Sequence, residues 1–149
     1  MKKRFAALLL IAGLVSSLSS FTTPFGGEGF QIYIDNKLVV ERFGPKMSEV
    51  QTLKLEEFAP NAKLTVKYWH CNQVGKDRAI TLKDADQKVL KQYKYKDATE
   101  KLSAMNCNLY DIALLQKSTK LINLYYASDE APQGRLLVTI DVNRALAKK

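Results

Sequence analysis

The stretch "FQIYIDNKLVVERFG", residues 30–44, decides the fold class. Phe30, Ile32 and Ile34 alternate with Gln31 and Tyr33, the period of a strand buried on one face. Asp35, Asn36 and Lys37 interrupt the run, and Asp and Asn tolerate the left-handed backbone of a tight hairpin turn. The stretch therefore predicts a β-hairpin. Its register is open, because Leu38 and Val40 favour one pairing and Val39 and Phe43 the other.

The same two-residue period recurs downstream. Residues 50–55 form a short alternating run, and Pro60 and Asn61 mark a turn after it. In residues 63–71, Leu64, Val66 and Tyr68 face one way and Lys63, Thr65 and Lys67 the other. Residues 78–97 read as a second hairpin, with Ile80 and Leu82 before a turn at 84–88 and Val89, Tyr93 and Tyr95 after it. Met105, Cys107 and Leu109 alternate, and residues 111–116 suit one short helical turn with Asp111 as its cap and Gln116 at its end. Two final strand-like runs, 120–128 and 135–146, flank a turn containing Pro132 and Gly134. About eight short strands with turn signals between them predict an all-β, antiparallel β-sandwich.

Upstream of the first strand the pattern changes. Lys2, Lys3 and Arg4 precede an uncharged, mostly apolar run at 5–15 and then small polar residues at 16–20. That order is the layout of a secretory signal peptide, and the run is shorter than the ~20 residues of a spanning helix. The expected organisation is a signal peptide over 1–19, a Gly-rich flexible leader over 20–29 and a single domain over 30–149, with no transmembrane segment in the mature chain. The expected location is periplasmic or extracellular. Net charge is +8, and removing Lys2, Lys3 and Arg4 lowers it by three to +5. An exported protein of that charge rarely meets nucleic acid. The partners that fit are an anionic envelope component, a glycan or another envelope protein.

Two cysteines, Cys71 and Cys107, lie in the domain, and the only histidine, His70, adjoins the first. In an oxidising compartment two cysteines of a small domain usually pair, so a Cys71–Cys107 disulfide is expected, worth ~3–4 kcal/mol by chain entropy. His70 is then a neighbour without a chemical role. A zinc site needs three or four ligands at suitable spacing, which one His and two Cys do not supply. Asp84 and Asp86 begin like a calcium loop, but Gln87 and Lys88 follow where further acids and a Gly belong. No cofactor is implied, and no metal or catalytic residue is assigned.

Aromatic residues interleaved with lysines are the remaining surplus. Trp69, Lys91, Tyr93, Lys94, Tyr95 and Lys96 form a candidate binding surface for a glycan or anionic partner, with rings to stack and ammonium groups to attract. Alternatively, the lysine-rich strand 88–97 protects a sheet edge against pairing with other chains. The function expected is an exported, non-catalytic binding or scaffolding module. The rival is a small secreted or periplasmic hydrolase using His70 or an acidic pair, Glu56 with Glu57 or Asp129 with Glu130.

Overall fold

The computed structural model describes residues 27–59, 61–143 and 145. The expected signal peptide and residues 20–26 of the expected leader lie outside the described residues. Strands β1 (Gly29–Ile34) and β2 (Lys37–Phe43) form the first hairpin. Asp35 and Asn36 turn it with φ of 46° and 67°, the left-handed pair that a two-residue turn needs. The open question of register is answered by a bulge. Val40 pairs with Ile32 and Leu38 with Tyr33, so Val39 takes an extra position between them. Val40 is thereby buried while Leu38 is exposed.

The described chain continues through β3 (Gln51–Lys54), β4 (Lys63–Trp69), β5 (Arg78–Lys83), β6 (Val89–Tyr95), β7 (Ala104–Asn108), α1 (Leu109–Ala113), β8 (Leu121–Ser128) and β9 (Ala131–Asp141). The strands form two sheets, ordered β2-β1-β4-β7 and β3-β9-β8-β5-β6. The β-sandwich expectation therefore holds, with one departure: β3 runs parallel to β9, whereas the other pairs are antiparallel. A 3₁₀ turn, Gly44–Ser48, carries the chain from β2 at one sheet's edge to β3 at the other's, and buries Met47 on the way.

Inward-facing positions fill the space between the sheets. Phe30, Ile32, Leu64, Val66 and Met105 come from one sheet, and Ile80, Leu82, Ile122, Leu124, Val138 and Ile140 from the other. Each contributes on the order of 1.5–3 kcal/mol by leaving water. The helical turn is where it is expected, but its cap is Asn108, whose Oδ1 accepts from the Tyr110 N–H at 2.8 Å. Asp111 instead pairs with Lys91, Oδ2 to Nζ at 2.8 Å.

The disulfide expectation is corrected. Cys107 pairs with Leu64 in the β7–β4 ladder, whereas Cys71 lies beyond the opposite end of β4, after Trp69. From Leu64 to Cys71 the extended chain covers on the order of 20 Å. A disulfide needs α-carbons within about 7 Å. Cys71 is exposed and Cys107 is buried, and the two are not bonded to each other.

The leader boundary also moves. Gly29 is the first residue of β1 and is paired with Trp69 of β4. A Cβ at Gly29 would enter the Trp69 ring and sit 2.9 Å from the Arg42 carbonyl oxygen. Gly29→Ala is therefore expected to destabilise the domain by ~1–3 kcal/mol through overpacking. Gly27→Ala, with open space around it, serves as the neutral control. Urea denaturation of both variants measures the difference.

Candidate functional site

Strand alternation assembles a polar cluster at one end of the core. Tyr68 faces inward on β4, so His70, two residues on, continues that face. Tyr126 faces inward on β8, and Ser128 follows by the same rule. The sheets therefore bring Tyr68 and His70 against Tyr126 and Ser128. The two tyrosine rings lie nearly parallel, 4.0 Å apart between centroids. His70 Nε2 lies 3.0 Å from the Tyr126 hydroxyl and 3.2 Å from Ser128 Oγ. Glu130, in the turn that joins β8 to β9, places Oε2 3.9 Å from the same nitrogen.

A second polar group adjoins this one. Arg135 pairs with Tyr126 in the β8–β9 ladder and donates from Nε to the Tyr68 hydroxyl at 3.1 Å. It also donates to Glu28 Oε2 at 3.0 Å, and the Tyr68 hydroxyl donates to the other Glu28 oxygen. Glu28, expected in the leader, is thus tied to both sheets.

Burial lowers the pKa of His70, against the opposing pull of Glu130 and then Glu28, and the ring is neutral at pH 7. Burial opposes the charge of Glu130, but hydrogen bonds outweigh it. They come from the Lys76 and Glu130 backbone N–H groups and the Ser128 hydroxyl, with a smaller pull from His70 when it is protonated, so the carboxyl sits below its ordinary range. A serine–histidine–acid relay places the hydroxyl at one imidazole nitrogen and the acid at the other. Here the hydroxyls and the carboxylate all approach Nε2, and Ser128 is only 5% exposed. The geometry suits a lock between sheets better than attack on a substrate. Among the described residues, no group of three or more His, Cys, Asp or Glu side chains is placed to hold a metal ion. Asp84 Oδ1 instead accepts from the Asp86 and Lys88 backbone N–H groups, closing the β5–β6 turn. No helix among the described residues is long and apolar enough to cross a membrane.

The expected aromatic–lysine surface is divided by the structure. Trp69 is 1% exposed and lies over Gly29, so it offers no ring to a ligand. Strand β6 is an edge strand, as its lysines imply. Its Lys91, Tyr93 and Tyr95 face β7 and α1: Lys91 reaches Asp111 and lies 4.9 Å from the centre of the Tyr93 ring. Tyr95 donates to the Asn106 carbonyl oxygen at 2.8 Å and touches Cys107 Sγ at 3.2 Å. Lys94 and Lys96 alone of the six are exposed. Of the acidic pairs, only Glu130 approaches His70, since Glu56 and Glu57 lie in a separate 3₁₀ turn, Leu55–Glu57.

In front of Glu130 lies an open depression of about 530 Å³, lined by Asn72, Gln73, Val74, Lys76, Lys101 and Glu130. Apart from Glu130, a member of one candidate acidic pair, these loop residues carry no periodic signal that marks them in the sequence. Glu28 and Arg135 carry no mark in the sequence beyond their charge.

Two expectations follow from the titrating groups. His70 has a folded pKa below its unfolded value of about 6.5, so the unfolded chain takes up the proton first as pH falls. Stability is full above about pH 7 and falls below about pH 6.5; Glu130 adds a further loss below the ordinary Glu range. His70→Gln is expected to flatten the dependence of the urea midpoint between pH 7.5 and 5.5. Burial pushes the Cys107 thiol up to about 11, so its alkylation at pH 8 is expected to be slow until the domain unfolds, as read by peptide mass.

A scan against protein-family models matches no family, and a search among curated proteins returns no relative, so the geometry of these residues carries the functional reading.

Proposed function

We propose that the protein is an exported, non-catalytic β-sandwich with a binding or scaffolding role at the cell envelope or outside the cell. The observation that carries this reading is the state of the His70 cluster. Its residue types are those of hydrolytic chemistry, yet the imidazole is buried and neutral, and both hydroxyls converge on one nitrogen. Those groups are committed to joining the sheets. The surface presents instead the lysines of an edge strand and a polar depression between tethered loops. Export rests on the order of charged, apolar and small residues over 1–19.

Tagged domain incubated with solubilised envelope fractions is expected to retain a partner, while a panel of ester, peptide and glycoside substrates shows no turnover above background. Turnover abolished by both Ser128→Ala and His70→Gln would establish the hydrolase reading instead.

The two roles open to β6 separate in one variant. Lys94→Gln with Lys96→Gln is expected to raise self-association on size exclusion without unfolding the domain, because the edge loses the charges that discourage strand addition. A salt-sensitive loss of envelope binding by the same variant, with no self-association, would mark β6 as a contact surface.

A further inference from the structure

The depression in front of Glu130 is built by loops that are held more firmly than strand connections require. Lys76 is clamped at both backbone groups by the β8–β9 turn. Its N–H donates to Glu130 Oε2 at 3.0 Å, and its carbonyl accepts from the Asp129 N–H at 2.9 Å. Gly75 lies so close to the core that a Cβ there would be 2.6 Å from the Tyr126 hydroxyl. Its carbonyl accepts from the Ala98 N–H at 2.8 Å, which ties the loop at 70–77 to the loop at 96–103. Asp97 Oδ1 accepts from the Asp77 N–H at 2.9 Å, a second tie between the two. Arg78, only 6% exposed, donates to the carbonyls of Lys96 and Ser103, both at 2.9 Å. Asn72 and Asp77 adopt positive φ, 57° and 44°, at the two ends of the loop. Ordering loops costs conformational entropy, and pre-ordered walls reduce what a ligand must supply on binding.

The lining selects the ligand chemistry. Asn72 and Gln73 present amides that donate and accept, Glu130 presents a carboxylate that accepts from hydroxyls, and Val74, 37% exposed, offers an apolar contact. Lys76 and Lys101 also line the depression, so its lining carries two cationic residues to one carboxylate. Hydroxyls, a C–H surface and a negative charge together describe an acidic sugar. We propose that this depression binds a carboxylate-bearing saccharide, with its hydroxyls on Asn72, Gln73 and Glu130 and its acid group facing Lys76 and Lys101. The proposal rests on the binding reading above and names its ligand class.

Titration of glucuronate and galacturonate oligosaccharides into labelled protein, followed by amide chemical shifts, tests it. The expected result is saturable shifts confined to residues 72–77, 98–103 and 129–130, weakened by raised salt. Neutral glucose oligomers are expected to bind at least tenfold more weakly. Lys76→Gln with Lys101→Gln is expected to lower uronate affinity about tenfold, and Lys54→Gln, exposed on the edge strand β3, to leave it unchanged. Absence of shifts in these loops, or uronate affinity indifferent to the double variant, overturns the proposal. Envelope retention in parallel separates the two levels. A partner retained equally by wild type and double variant, with no uronate shifts, refutes the saccharide site and leaves the binding role standing. No retained partner together with substrate turnover refutes the binding role itself.

Discussion

The stack of Tyr68 on Tyr126 is the contact on which the loop end of the sandwich depends. Most of the remaining core is aliphatic and packs without regard to direction. At this end the contact is aromatic, with rings 4.0 Å apart, and both hydroxyls are given specific partners. A buried hydroxyl left without a partner costs about 1–3 kcal/mol, so the tyrosines fix where His70 and Arg135 must be. Arg135 then fixes Glu28, and His70 fixes Ser128 beside Glu130. The chain from ring stack to the half-buried Glu130 carboxylate is continuous, and the depression begins where it ends.

The two long sides of the sandwich are closed by different means. On one side the Gly44–Ser48 turn crosses between the sheets, and Arg42 of β2 donates to the Gln51 side chain of β3 at 3.2 Å. On the other side, β6 and β7 are both edges, and Tyr95 spans them by its bond to the Asn106 carbonyl. That bond occupies an acceptor on an edge strand, while the exposed lysines of β6 make its own edge costly to bury. The aromatic–lysine alternation of β6 thus divides by face, with rings toward the neighbouring sheet and Lys94 toward water.

Cysteine placement fits this economy. Cys107 sits as a small buried side chain under Tyr95, and its raised pKa follows from that burial. No covalent bridge to Cys71 is needed to hold β7 in its sheet, because the β4–β7 ladder already pairs it with β4. The buried Arg78 has a comparable task at the loops, where a cation with two carbonyl acceptors holds the 96–103 segment against β5.

The sequence by itself determined the strand pattern, since the faces of β1, β4, β5 and β8 follow from period-two alternation, a local property of the backbone. It also determined the β1–β2 turn at Asp35 and Asn36, the edge position of β6 and the helical turn near Asp111, because each depends on a few adjacent residues. Only the tertiary structure decided which strands are neighbours. Sheet order placed Cys107 opposite Leu64 and removed the disulfide, although spacing and compartment favoured it. Order also set β3 parallel to β9 and laid Trp69 over a glycine three strands earlier in the chain. The meeting of His70 with Tyr126, Ser128 and Glu130 joins residues 56 to 60 positions apart from two different sheets. Contacts at that separation arise from how the sheets face each other, and local alternation says which side a residue faces but not what it meets there.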